Sequence, residues 1–579
     1  MNDINWKIGG VGGMGAMGVG SIFSKFVHRS GYFVADNNEY NSVIKGGHNN
    51  YQTRFSQDKI YETSKKLDLL LVLDENSFQL LAPDLNSVNA FVICDWAIIK
   101  DKTKVAPDKI IDVPFSMLNK QNGGDEIMKN MIGLGASLAM FAGNLEVCDS
   151  VVRDQFGKKG AEIADKNIAL VKVGYDYVKE KFPNQVQSFI AAHGVMSGRE
   201  YMVKNYLMLG NEAIAMGALS AGIGFYAAYP MTPASSILHY LAPLASKYNL
   251  VVKHAEDEIA AINTAIGASF GGARAMVASA GGGFALMVEG LGLAAISETP
   301  IVISVISRPG PATGLPTWTD QADLRFVIHA SQGEFLRLVF TPGDPIECFE
   351  LTELAFELAE KYQIPVIINS DKYLAESRWS CQYNYTINAK LRNGFIAQSA
   401  LDRMPNYERY ADTISGVTPR SIPGMKNGIH LANSDEHDFY GLSNEDGKMR
   451  DLQINKRYDK KLKRLMDELP LLPIYGDLKS HNAVIAFGSV KNPILEAMKQ
   501  LPNIKFLHIN HVAPFPTDQV NKFLIDTDKF AVIENNHTGL LSGLITQHTG
   551  KFPTHSYLKD DGRQIYFEDL VEFLKQNGY

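Results

Sequence analysis

A glutamate opens the Ala/Ile-rich stretch "HAEDEIAAINTAIGAS", residues 254–269. Glu258 would place its charge at a helix start beside apolar packing, a setting in which a carboxyl group serves as an acid or hydrogen-bond donor. The same position also suits an ordinary acid in a first helical turn, worth about 0.3 to 1 kcal/mol. In "YPMTP", Pro230 and Pro233 stiffen the backbone around Thr232 and present its hydroxyl from a rigid turn. "SRPGPATGLPTWTDQADLR" is a Gly/Pro-rich loop after the strand-like "IVISVI", and Arg308 at its base has the planar fork that binds two carboxylate or phosphate oxygens. A surface salt bridge would use the same side chain.

The fourth candidate is "GGVGGMGAMG", with six glycines in residues 9–18. Glycines let backbone N–H groups approach an anion at a helix start. Gly10, Gly12 and Gly15 satisfy G-x-G-x-x-G, and Asp36 ends "GYFVAD" at about the distance of a Rossmann ribose-binding acid. A plain strand-to-helix crossing uses the same glycines.

Such groups need a scaffold of strands and helices. Residues 1–190 alternate short Val/Ile/Leu runs with helical stretches, among them a helix over 16–29, which predicts a mostly parallel sheet. "FPNQVQSFIAAHGVMSGREYM" reads as a connector, and 191–209 as the linker proper. A second α/β domain spans 210–375. A bridging segment, 376–475, is rich in turns and ends in "KRYDKKLKRLMDELP", whose charge run predicts a solvated helix face. A third α/β domain spans 476–579.

Composition narrows the function. With 45% hydrophobic and 21% charged residues and a net charge of −7, the chain lacks the electrostatic footprint of nucleic-acid or anionic-membrane binding. It carries neither a secretory leader pattern nor about eighteen consecutive apolar residues, so the expected location is the cytoplasm. Cys94, Cys148, Cys348 and Cys381 form no C-x-x-C pair, which predicts no metal or iron–sulfur cluster on this chain. The residues alone lead to an α/β ligand-binding protein, most simply an enzyme.

In order and spacing, "GNEAIAMGALSAG", "YPMTP", "EDEIAAINTAIGAS", "GPATGLPT" with "QADL", and "PVIINSDKYL" resemble the alpha subunit of the 2-oxoacid:ferredoxin oxidoreductases. "NEYNSVIKGGHNN" resembles the signature of the gamma domain fused to its N-terminus. "GVTPRSIPG", "NSDEHD" and "VIENNHTG" fit later regions. The resemblance implies a gamma domain, a thiamine-diphosphate-binding pyrimidine-type domain and a transketolase C-terminal-like domain. It moves the glycine loop from a nicotinamide fingerprint to the coenzyme A side of the reaction, with Gly12, Gly13 and Gly15 facing phosphate. Met14 departs from the family's G-G-Q-G, so no contact of that side chain carries over.

The implied reaction is oxidative decarboxylation of a 2-oxo acid with coenzyme A as cosubstrate, the electrons passing to ferredoxin. Thiamine diphosphate would be shared with a beta subunit that carries the magnesium and the iron–sulfur cluster, most simply two of each chain. Glu258 matches the family's glutamate on the aminopyrimidine ring. Thr232, with Tyr229 and Pro230 of the same motif, is placed at the cofactor, and Arg308 at the substrate carboxylate. Trp318 stands where many relatives carry Arg or Lys. The resemblance places 2-oxoglutarate first, with pyruvate or a branched or aromatic 2-oxo acid as alternatives. An NAD-dependent dehydrogenase and a noncatalytic assembly subunit are the remaining rivals.

Overall fold

Short apolar runs become strands, and the length of chain between them decides how they pair. The computed structural model describes residues 3–42, 47–86, 88–196, 205–383 and 394–579. Parts of three expected segments lie outside the described residues: 43–46 of "NEYNSVIKGGHNN", 197–204 of the linker and 384–393 of the bridging segment. The chain divides into two compact units. One holds Met1–Met208 with Glu376–Asn384 and Tyr566–Val571; the other holds Leu209–Ala375, Tyr385–Ile565 and Glu572–Tyr579.

In the first unit the described residues form an eight-stranded sheet. Ile4–Val11, Leu69–Val72, Phe91–Cys94 and Ile110–Asp112 pair in parallel, as expected. The other half departs from expectation: His48–Ser56 pairs antiparallel with both Ile4–Val11 and Phe33–Glu39, and Arg378–Gln382 joins Phe33–Glu39 antiparallel. The connection from Glu39 to His48 is too short for the helical crossover that a parallel pair requires, so Phe33–Glu39 and His48–Ser56 pair antiparallel.

Helix Ala16–Arg29 buries Val19, Phe23, Phe26 and Val27, and Phe23 stacks on Trp6 with ring centroids 4.0 Å apart. Helices Lys129–Met140 and Ala161–Lys181 pack backbone to backbone. A Cβ on Gly135 would collide with the Val171 carbonyl, and one on Gly174 with that of Ile132. The stretch read as a connector contains the helix Pro183–His193. Pro183 starts it without losing a needed hydrogen bond, and Val186, Phe189 and His193 form one buried face.

The second unit holds two sheets. Seven strands run in the order His511–Ala513, Leu338–Phe340, Pro365–Asp371, Ile301–Ser307, Ala275–Ser279, Phe225–Ala228, Val251–His254, parallel except for the first. The other sheet orders Ile474–Gly476, Lys505–Ile509, Asn482–Phe487, Lys529–Glu534, His555–Leu558 and is parallel except for its first strand. Both feed one hydrophobic core, from Ala227 through Ile303 and Ile485 to Ile545.

The charged stretch is not simply a solvated face. Gly447–Asn455, a π-helical turn Lys456–Lys460 and Lys461–Met466 are continuous. A π turn aligns residues five apart. Lys456 and Lys461 therefore both reach the buried Glu298, the first through Oε1 and the second through Oε2 at 2.6 Å. Lys463, Arg464, Asp467 and Glu468 remain exposed. Charge pattern shows which residues share a face, but not that a carboxylate is buried opposite them. No helix among the described residues is long and apolar enough to cross a membrane.

Candidate functional site

Strand Phe225–Ala228 lies between Val251–His254, the next strand in sequence, and Ala275–Ser279, the one after it, so the strand order reverses at this point of the sheet. The carboxyl ends of strands at such a switch point form a crevice. "YPMTP" follows Ala228 there, with a cis Thr232–Pro233 peptide. Asn211 ties the turn down from helix Gly210–Ser220, donating to the Pro233 carbonyl at 2.9 Å and to Ser236 Oγ at 2.7 Å.

Asp257 caps helix Glu258–Phe270 by accepting the Ala260 N–H at 2.7 Å, which leaves Glu258 as its first residue. Glu258 is 3% exposed, and its Oε1 is buried without a hydrogen-bond partner. Gly283, in the first turn of helix Gly281–Ile296, makes the space. A Cβ there would lie 2.6 Å from Glu258 Oε1 and would collide with Ser279 Oγ. Ser279 Oγ donates in turn to Met231 Sδ at 3.8 Å. Through Ser279, the glutamate and the "YPMTP" turn meet at one place. A buried carboxylate oxygen left unpartnered normally carries a penalty of a few kcal/mol, so an external donor fits it.

Arg308, one residue past strand Ile301–Ser307, donates through Nη1 to the Thr232 carbonyl at 2.6 Å. Burial lowers its pKa, and the facing Asp323 charge opposes that shift. Asp323 is itself raised by burial, against the Ser307 hydroxyl and Arg308. A Cβ on Gly281 would press on this carboxylate. Asp320 is pushed up to about 7 by burial, opposed by the Gln321 N–H and reinforced by Asp323. Gln321 anchors the loop to the five-stranded sheet: its N–H and Oε1 pair with Asn535, and Nε2 donates to the Phe487 carbonyl at 3.0 Å. Tyr229 is 39% exposed, Pro230 is half-buried, and Trp318 lies half-buried near the loop's far end.

In the first unit, Gly13 and Gly15 have φ of 99° and 80°, the left-handed region open to glycine. Gly12 N–H is already used, donating to the Gly47 carbonyl at 3.0 Å. Asn130 Nδ2 donates to the Met14 carbonyl at 2.9 Å and fills the space beside Gly15, while a Cβ on Gly13 would meet nothing within 4 Å. Helix Ala16–Arg29 has no side-chain cap and no acid in its first turn. Asp36 does not face a ligand. It is fully buried, accepting from Tyr51 Oη at 2.6 Å and from the Arg378 N–H at 2.8 Å. The nicotinamide alternative thus lacks its ribose-binding acid.

Residues 216–454 match the family described as pyruvate flavodoxin/ferredoxin oxidoreductase, thiamine diphosphate-binding, and residues 5–177 match the pyruvate ferredoxin/flavodoxin oxidoreductase family. A 2-oxoacid:ferredoxin oxidoreductase subunit alpha from a Sulfolobus species is 32% identical over 99% of this chain and 96% of its own length. The chain belongs to the 2-oxoacid:ferredoxin oxidoreductase alpha subunits.

Two further likenesses place this alpha subunit. The 2-oxoglutarate synthase subunit KorA of Archaeoglobus fulgidus is 33% identical over 57% of this chain and 88% of its own. The structure of 2-oxoglutarate:ferredoxin oxidoreductase from Magnetococcus marinus, with 2-oxoglutarate, coenzyme A and succinyl-CoA bound, matches with a TM-score of 0.89 at 28% identity, over 100% of this chain and 99% of that one.

Sequence reasoning passed over Ser279, Gly283, Asn211 and Asp323 of this alpha subunit. The run "GGG" at 281–283 after a strand was the available signal for Gly283, since consecutive glycines mark close approach. Nothing local distinguishes Asn211 or Ser279, whose partners lie 22 and 48 residues away.

Proposed function

We propose that this alpha subunit carries out, with a beta subunit, the coenzyme A-dependent oxidative decarboxylation of 2-oxoglutarate, with ferredoxin as electron acceptor. In balance, the C1–C2 bond breaks to release CO2, a thioester forms on the coenzyme A sulfur, one proton is released, and two electrons reduce two ferredoxins. The Magnetococcus marinus enzyme, which holds 2-oxoglutarate, coenzyme A and succinyl-CoA, supports the substrate and cosubstrate. The KorA relatives support the same acid.

The observation that carries the reading is the unpartnered Glu258 Oε1 in the space left by Gly283. Thiamine diphosphate, when bound, supplies the carbon nucleophile and electron sink that decarboxylation of a 2-oxo acid requires. Glu258 is the residue to hold its aminopyrimidine, sharing a proton between Oε1 and a ring nitrogen. Thr232, Tyr229 and Pro230 line the approach, and the Arg308–Thr232 bond keeps that turn rigid. The Arg308 donors not used on Thr232 suit the substrate's 1-carboxylate. Gly13, with open space beside it, leaves the start of helix Ala16–Arg29 accessible to a coenzyme A phosphate, while Gly15 supplies the left-handed turn into that helix. Diphosphate, magnesium and iron–sulfur clusters fall to the beta subunit, in an assembly of two of each chain.

Trp318 favours a second reading, a monocarboxylic 2-oxo acid, because an indole offers apolar area and one N–H rather than a charge. The test of the main reading is Glu258→Gln in the complex purified anaerobically with its beta subunit. Thiamine- and coenzyme A-dependent ferredoxin reduction should fall by about 10²- to 10⁴-fold with assembly intact. Activity within a factor of two of wild type removes Glu258 from the mechanism.

A further inference from the structure

The guanidinium of Arg563 lies over the Trp318 ring, with Cζ 3.2 Å from the ring centroid. Stacking occupies the flat face of a guanidinium and leaves its five N–H donors pointing outward in the plane. No hydrogen bond or ion pair among the described residues uses the donors of this half-buried side chain. The acids beside it in sequence are taken. Asp561 accepts Lys559 Nζ at 2.8 Å and the Arg563 backbone N–H at 2.9 Å, and Asp560 pairs with His537 Nδ1 at 2.6 Å. Asp561 feels the Arg563 charge but spends its hydrogen bonds on Lys559 and the backbone, so the fork itself is left without a hydrogen-bond partner among the described residues.

Its position is tied to the substrate loop. Gly562, at φ 81°, approaches so closely that a Cβ there would lie 3.1 Å from Leu315 and 3.2 Å from Trp318, and its carbonyl accepts the Thr319 N–H at 3.1 Å. The loop that holds Arg308 against Thr232 at its base therefore holds Arg563 near its far end. The loop carries one guanidinium and positions a second from a distant segment, each with donors to spare.

We propose that Arg563, oriented by Trp318, binds the distal carboxylate of a dicarboxylic 2-oxo acid while Arg308 takes the carboxylate next to the oxo group. This rests on the 2-oxo acid reading above and deepens it: the charge absent from position 318 is supplied within the same chain. An apolar or aromatic substrate tail would leave the Arg563 fork unpaired.

The experiment compares kcat/KM for 2-oxoglutarate and 2-oxobutyrate in the complex with the beta subunit. Arg563→Gln should lower the ratio of the two by about 10- to 100-fold, the range for losing hydrogen bonds to a charged group. Arg563→Lys should lower it less, and it carries the comparison if the glutamine variant fails to assemble. A second readout is quenching of tryptophan emission on titrating 2-oxoglutarate without coenzyme A. It should saturate in wild type, be absent in Trp318→Phe and be weak with 2-oxobutyrate. A wild-type complex that oxidises neither acid overturns the 2-oxo acid reading itself. A complex that oxidises both, with a ratio unchanged by Arg563→Gln, overturns the role of Arg563 alone.

Discussion

Among the buried glutamates of the second unit, Glu298 and Glu258 are treated in opposite ways. Glu298, just past helix Gly281–Ile296, is saturated: Lys456 and Lys461 hold its two oxygens, and Arg409 donates to its carbonyl at 2.9 Å. Burial alone would raise its carboxyl, but the charges of Lys456, Lys461 and Arg409 outweigh that and hold it well below the usual carboxylate range. Glu258, at the start of the preceding helix, keeps one oxygen with no partner among the described residues. A carboxylate whose charge is fully met within the fold serves the fold. One left unmet points to something the chain does not contain.

The sharpest separation is expected from Glu258→Gln, which should remove about 10²- to 10⁴-fold of turnover while leaving the thermal midpoint at or above wild type. A marked fall in midpoint would make Glu258 a structural residue like its neighbour. Glu298→Gln should do the reverse. It strands two buried ammonium groups, at about 3 to 5 kcal/mol, so the complex should melt well below wild type while the surviving folded fraction keeps its kcat. Wild-type stability in that variant would show that the ion cluster is dispensable.

A gentler probe is pH. Lys456 is pushed down to about 7, first by burial and then by Lys461 and Arg409, against the pull of Glu298. Above about pH 7 the unfolded chain binds this proton and the folded chain releases it. Stability should therefore rise between about pH 7 and pH 10, by at most about 1.4 kcal/mol per pH unit, and the slope should flatten below pH 7, where both states hold the proton and the full penalty of burying it remains. Denaturant unfolding at several pH values, compared with Lys456→Met, reads this directly; an identical slope in both proteins would rule out Lys456 as its source.

The smallest effect is expected in the glycine loop. Gly13→Val meets open space, so its penalty comes from φ alone, about 1 to 2 kcal/mol for a residue with a Cβ. The KM for coenzyme A should rise with little change for the 2-oxo acid. Equal changes for both substrates would place the loop's influence on the fold and not on coenzyme A.

Much of this was legible along the chain. Apolar runs such as "IVISVIS" and "PVIINSD" became strands, and the helix expected over 16–29 has those bounds, because local periodicity and turn chemistry act over a few residues. The family was legible too, from ordered motifs rather than from any one of them. The direction of strand pairing was less so: in the first sheet the length of one connection, not the apolar pattern, set His48–Ser56 antiparallel to both its neighbours, and a segment more than 300 residues away added a third antiparallel pairing.

By itself the sequence determined which groups exist: a glutamate at a helix start, a proline-stiffened turn, a glycine loop, two arginines. Only the tertiary structure decided which of their charges are met. Asp36 was matched by Tyr51 and Arg378, the latter 342 residues away; Lys456 and Lys461 were drawn inside by Glu298; and Glu258 Oε1 and the Arg563 fork were left open. Partner and burial are properties of contacts between distant segments. The energy of a charge depends on those contacts far more than on its neighbours in the chain.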